Sequence, residues 1–436
     1  MQATIAPPLD ADEASTPVNS RGKVIVASLV GTAIEFFDFY IYATAAVIVF
    51  PHIFFPQGDP TTATLQSLAT FAVAFVARPI GSALFGHFGD RVGRKVTLVA
   101  SLLTMGISTV LIGLLPSYET IGIFAPILLA LARFGQGLGL GGEWGGAALL
   151  ATENAPAKKR ALYGSFPQLG APIGFFFANG TFLLLSWLLS DQQFMEWGWR
   201  VPFIIGLLII PVGIYIRKHL EETYSGEAPA HARPPLNPVW DLVSNHAKDL
   251  LLGVLIIMSG TVMVYVVLLY MPTYMMQTYH IAGPTAYLFS CIASVVQIIA
   301  VYCAGRYVDR VQNYKRPLLF SIFAALILIY PTFWFLSATQ TLWLAIVFRI
   351  LLIGALGINM LASTMLIVSA LPRHVRATGT SMIYAFGVTL FGGSAQLVVT
   401  WLLDVSGNPM APAWYVTGML TVSLIATLLF RERHKE

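Results

Sequence analysis

Twelve apolar runs dominate this chain of 436 residues and leave it few ways to fold. They cover roughly 24–50, 64–88, 96–116, 121–150, 162–188, 199–217, 250–278, 284–307, 317–337, 341–369, 378–403 and 412–430. Pro116, Ser117 and Tyr118 turn the chain between the third and fourth. A helix of about 20 residues crosses the hydrocarbon of a bilayer, about 30 Å thick. Lipid offers no hydrogen bonds, so each run has to satisfy its own backbone as a helix. Composition agrees: 56% of residues are hydrophobic and 11% charged, against about 25% charged in soluble domains. So few charges cannot cover a water-facing surface. The expected fold is an all-α membrane protein of twelve transmembrane helices.

Lys and Arg orient the chain. One set of loops holds Arg91, Arg94, Lys95, Lys158, Lys159, Arg160, Arg217, Lys218, Arg306, Arg310, Lys315, Arg316, Arg373 and Arg376, while the alternate loops hold none. Cytoplasmic loops carry the basic excess, so both termini are expected on the cytoplasmic side of a multi-pass inner-membrane protein. Residues 1–20, polar with Pro7, Pro8 and Pro17, read as a disordered cytoplasmic tail, not a signal peptide. Residues 431–436 form a second short tail. The polar, proline-containing stretch 219–249 reads as a cytoplasmic linker between 21–218 and 250–430. The net charge of +4 belongs to these loops, so no nucleic-acid partner is expected. Cys291 and Cys303 lie in one apolar run and imply no disulfide framework. No metal site and no cofactor is expected.

The two halves repeat. Gly86-His87-Phe88-Gly89-Asp90-Arg91-Val92-Gly93-Arg94-Lys95 follows the second run, and Gly305-Arg306-Tyr307-Val308-Asp309-Arg310-Val311 follows the eighth, offset by 219 positions. Arg133 in the fourth run and Arg349 in the tenth are offset by 216. Internal repeats of this kind mark transporter folds.

Gly86 to Lys95 resembles the loop signature of the major facilitator superfamily, and Arg133-Phe134-Gly135-Gln136-Gly137 resembles its fourth-helix motif. Within that superfamily the metabolite–proton symporters are closest in pattern. Gly31 through Tyr40, with Glu35-Phe36-Phe37-Asp38-Phe39 at its core, resembles them, as do Arg78-Pro79-Ile80-Gly81, the Trp197–Phe203 segment and Val375-Arg376-Ala377-Thr378-Gly379. The resemblance covers about 410 residues. It implies two pseudo-symmetric six-helix bundles, 21–218 and 250–430, and a small organic solute moved with protons. Relatives include an α-ketoglutarate permease, a citrate–proton symporter, a shikimate transporter and a proline/betaine transporter. Gln312-Asn313-Tyr314 stands where Gly-Arg is expected, which argues against a symmetric cytoplasmic gate.

A charge at bilayer depth costs at least about 2.5–3.5 kcal/mol and needs a reason. Glu35 and Asp38 are three residues apart, on one helix face. At 1.5 Å per residue they lie about 17–21 Å deep in the first span, where Arg133 of the fourth arrives from the other side. A carboxylate facing an arginine there either pairs with it permanently or, once protonated, releases it. The resemblance implies the second: acid and arginine in these two helices couple protons in related symporters. Asp38, Glu35 and Arg133 are therefore the proton-coupling candidates. Glu143 stands either as partner of a loop arginine or as a functional acid, and Arg200 reads as an interfacial anchor.

Arg78 either meets a substrate carboxylate or braces the cytoplasmic gate. Polar residues in apolar runs suggest the rest of the lining: Gln136, Gln168, Tyr265, Tyr270, Gln297, Asn359, Tyr384 and Arg349. The gate is read from Gly86, Asp90, Arg91, Gly93, Arg94 and Lys95, and from Asp309 and Arg310. An aspartate there can accept from the amide end of a neighbouring helix. Glycines at four-residue spacing in the fourth run suit close helix packing, and Pro167 and Pro172 should kink the fifth. The sequence contains none of the zincin, nucleophile-elbow or phosphate-loop patterns of enzymes. The expected function is proton-coupled symport of a small carboxylate or zwitterion by a monomer in lipid; the alternatives are an uncoupled facilitator and a proton-antiport exporter.

Overall fold

The computed structural model describes residues 21–56, 58–92, 94–141, 159–207, 211, 238–311, 313–337, 342–372 and 375–430. Among them every regular element is helical. Among the described residues nine helices are long and apolar enough to cross a membrane, and three shorter apolar helices, Val99–Leu114, Phe124–Leu140 and Gly198–Leu207, meet the other three apolar runs. The first half holds α1 (Arg21–Ile48), α2 (Pro60–Val92), α3 (Arg94–Leu114), α4 (Phe124–Leu140), α5 (Arg160–Leu188) and α6 (Gly198–Leu207). The second holds α7 (Ala247–Tyr279), α8 (Gly283–Val311), α9 (Lys315–Ser337), α10 (Leu342–Ala370), α11 (Arg376–Phe391, resumed at Ala395–Ser406) and α12 (Ala411–Leu429).

Helix ends follow local chemistry. Asp59 starts α2 by accepting from the Thr62 amide at 2.8 Å and its hydroxyl at 2.7 Å, which holds the Asp59 carboxyl below the usual carboxylate range. Arg200 donates to the last carbonyls of α3, Gly113 O at 2.7 Å and Leu115 O at 2.9 Å, and lies over Trp199. The residue expected to be an interfacial anchor therefore closes a neighbouring helix. Asn313, in the loop that departs from the expected pattern, accepts from Arg316 N at 2.9 Å and caps α9.

Glycine sets the closest approaches. A Cβ on Gly137 would stand 2.4 Å from Ala74 O, so α4 meets α2 backbone to backbone. α5 runs unbroken through Pro167 and Pro172, because its packing on α1 and α8 holds it. α7 is the irregular one: Met263–Tyr270 is π-helical and wholly buried. Such wide turns re-aim side chains and recur at functional sites. Between the halves, α5 packs along α8 and α2 along α11.

Candidate functional site

The middle of the first half holds a chain of polar side chains in an otherwise apolar interior. Arg133 on α4 is fully buried, and Asp38 on α1 is 5% exposed. The sequence suggests a direct pair, yet the two are joined through intermediates. Arg133 Nη1 donates to Gln136 Oε1 at 2.9 Å, and Gln136 Nε2 donates to Thr109 Oγ1 at 2.6 Å. The Thr109 hydroxyl in turn donates to Asp38 Oδ2. Gln136, expected to line a substrate cavity, has both ends of its amide committed here. Glu35 is buried one turn before Asp38.

Aromatic faces surround the Arg133 guanidinium. Its guanidinium lies 4.0 Å from the Tyr42 ring centre, 4.9 Å from Phe71 and 5.1 Å from Phe39. Cation–π attraction is worth about 2 kcal/mol in such a desolvated place. Tyr42 is itself held by Thr70 at 2.7 Å. Among the described residues Arg133 Nε and Nη2 have no hydrogen-bond partner.

Arg78 on α2 is half-buried, 5.3 Å above Phe75 and 5.4 Å from Phe39. Among the described residues its buried Nε has no partner and no carboxylate reaches it. Tyr40, Tyr265 and Tyr384 lie within its electrostatic reach. Tyr265 arrives from the π-helical turn of α7 and packs on Phe75, Phe71 and Phe39 at 5.8, 6.4 and 6.1 Å. The aromatic cluster of the first half is thereby continuous with the second. Thr389 of α11 adds a donor to Phe75 O at 3.3 Å.

Other candidates separate into braces and open groups. Asn359 accepts from Ser259 at 3.1 Å and donates to Ser321 at 3.3 Å, so it ties α10 to α7 and α9. Tyr270 accepts from Thr400 at 3.1 Å. It borders a cavity of about 510 Å³ lined also by His52, Thr64, His280 and Asp404. Gln168 and Gln297 are buried, each with an Oε1 that no described residue partners, and Gln297 Nε2 reaches the Met360 sulfur at 3.7 Å. Arg349 is 6% exposed, and no described residue partners its Nε or Nη2. No cluster of three metal-ligating side chains occurs among the described residues.

At the basic end the halves are fastened by Asp309. Its two oxygens accept from Ala161 N and Leu162 N, both at 2.9 Å, at the start of α5. A carboxylate at a helix N-terminus meets free amides and the positive end of the helix dipole. Gly305 permits the approach, since a Cβ there would stand 2.9 Å from Leu162 Cα. The contact forms despite the departing loop, and Arg310 beside it is exposed. The side chains of Asp90, Arg91, Arg94 and Lys95, together with Gly93 and Glu143, lie outside the described residues. Asp309→Asn is expected to raise hydrogen–deuterium exchange at the Ala161 and Leu162 amides about fivefold, the equivalent of about 1 kcal/mol. Mass spectrometry of the detergent-solubilised protein reads this directly, and unchanged exchange would refute the fastening.

Sequence reasoning missed Thr109. Its one signal was a hydroxyl halfway along an apolar run, shared with many serines and threonines that bond only their own helix. The α7 π turn had no signal at all.

Comparison with known proteins agrees with this architecture. The family model described as "Major Facilitator Superfamily" matches residues 28–395. The chain is 54% identical, over its whole length and that of the relative, to "Inner membrane metabolite transport protein YhjE" of Escherichia coli (strain K12). Among solved structures, the partially occluded inward-open xylose transporter XylE from E. coli superposes with a TM-score of 0.75 at 16% identity, covering 95% of this chain and 99% of that one. A D-xylose–proton symporter superposes with a TM-score of 0.74 at 18% identity, over 94% and 98%. With the apolar helices and the repeated halves, these matches make the chain a multi-pass inner-membrane metabolite transporter that belongs to the major facilitator superfamily.

Proposed function

We propose that the chain imports a small carboxylate-bearing metabolite, an organic acid or a zwitterion, together with protons. The bundles 21–218 and 250–430 would rock about the site between them, opening it alternately to either side. The observation that carries this reading is the Arg78 guanidinium. It sits half-buried where aromatic rings of both halves converge, with no acid among the described residues to neutralise it. A cation left so in a low dielectric is costly, and a carboxylate bound bidentately relieves that cost. Nearby, Asp38 supplies a group that only accepts when ionised and donates when protonated. A D-xylose–proton symporter built on the same fold supports proton coupling as the energy source.

Orientation follows the basic loops: termini inside, Asp309 closing the inner end, and the cavity beside His52 and Asp404 facing outward. The chain works as a monomer surrounded by lipid. Purified protein in liposomes is expected to concentrate at least one of α-ketoglutarate, citrate, shikimate, proline or glycine betaine when an inward proton gradient is imposed. A gradient of about one pH unit supports about tenfold accumulation per proton carried, and a protonophore should erase it. Uptake that never exceeds equilibration would make the protein a facilitator. Proton-driven efflux would make it an exporter.

A further inference from the structure

We propose that Thr109 and Gln136 form a switchable relay that reports the protonation state of Asp38 to Arg133, with Gly206 keeping the second carboxylate oxygen open to the proton. This rests on the symport reading above and adds residues that the reading does not require.

Direction is the first argument. Arg133 donates to Gln136, Gln136 to Thr109, and Thr109 to Asp38, so every hydrogen points toward the carboxylate. An ionised carboxylate, which only accepts, demands that order. Gln136 cannot turn its amide over, because its oxygen holds Arg133 Nη1 at 2.9 Å. Thr109 can turn. Its single hydroxyl hydrogen has two acceptors within reach, Asp38 Oδ2 and Met105 O at 3.0 Å. A hydroxyl rotates freely between such partners while its oxygen keeps accepting from Gln136.

Asymmetry at Asp38 is the second argument. Oδ2 is engaged by Thr109, whereas no hydrogen bond to a described residue engages Oδ1. A Cβ on Gly206 would stand 3.1 Å from Oδ1 and 3.4 Å from Thr109 Cγ2. The missing side chain therefore leaves room beside the free oxygen, where the proton adds. The charge is then gone, Oδ2 is an ordinary carbonyl acceptor, and Thr109 is free to donate to Met105 instead.

Arg133 loses the counter-charge that Asp38 supplied. The groups around it are Asp38, Tyr42, Arg78 and Tyr265, with Glu35 one turn away on α1. Residues 164–188 of α5, 96–114 of α3 and 201–207 of α6 contain no titratable side chain. A guanidinium with two nitrogens that no described residue accepts from then favours whichever conformation offers it water or a substrate carboxylate. Binding a proton thereby biases the conformational equilibrium without any direct Asp38–Arg133 bond.

The test uses full-length protein in liposomes and the best-accumulated solute of the panel above. Thr109→Val removes the hydroxyl at nearly constant shape; Thr109→Ser restores it. The Val variant should drop from about tenfold accumulation to near equilibration, while counterflow exchange without a gradient stays within about threefold. The Ser variant should accumulate like wild type. Gln136→Met, which removes both ends of the amide, should give the same split and serves where the Val variant fails to elute as a monodisperse peak. Wild-type accumulation by folded Thr109→Val or Gln136→Met overturns the relay, as does exchange that falls in step with accumulation. If wild type accumulates and Asp38→Asn alone uncouples it, the relay fails and symport stands. If wild type shows no proton dependence, both fall.

Discussion

Asp38→Asn is expected to reduce proton-driven accumulation to simple equilibration. Asparagine keeps the shape of the protonated acid and still offers Thr109 an acceptor, but it never carries charge. The relay end facing Arg133 is then permanently neutral, and proton movement no longer biases the two conformations. With an inward gradient of about one pH unit, wild type reaches about tenfold accumulation per proton and the variant about onefold. Counterflow, in which the loaded carrier merely exchanges, should persist. Measuring both in the same liposomes decides the matter: gradient-driven accumulation by Asp38→Asn would remove this residue from energy coupling.

Arg78→Ala is expected to raise the KM for a carboxylate substrate about a hundredfold while changing maximal exchange little. Each charge-assisted hydrogen bond is worth about 1.5–3 kcal/mol, and a bidentate contact comprises two. The lower end of that sum is about 3 kcal/mol, or a hundredfold. Arg78→Lys keeps the charge but loses the planar fork and should recover only part of the affinity. Initial-rate exchange against concentration for the three proteins makes the measurement. An unchanged KM in Arg78→Ala would return Arg78 to its alternative role as a brace between the aromatic rings of Phe39 and Phe75.

The two predictions differ in how far the sequence alone leads to them. Asp38 and Arg78 are conspicuous in the sequence because charges in apolar runs are rare and expensive. Their relation to neighbours is not. Depth along a helix placed Asp38 and Arg133 at one level, but rotation and rotamer decide contact, and these route the connection through Thr109 and Gln136. Asn359 was as conspicuous as Gln168, yet Ser259 and Ser321 engage both ends of its amide while no described residue partners the Gln168 oxygen. At the basic end, the loop departure at Gln312-Asn313-Tyr314 suggested a weaker gate. Asp309 nevertheless finds two amides on α5, because the contact needs only the aspartate, a close glycine and a helix start.

By itself the sequence determined the helical class, the twelve crossings, the repeated halves and the sidedness expected of the loops. Each of these follows from what lipid forbids: an unsatisfied backbone, an uncompensated charge, a basic loop on the wrong side. Tertiary structure alone decided which faces turn inward, where α7 widens to bring Tyr265 against Phe75, and which buried polar groups brace helices or stay open. In water an amphipathic stripe announces the inner face of a helix. In lipid both faces are apolar, so hydrophobicity carries no such mark, and close packing and hydrogen bonds between helices make the choice.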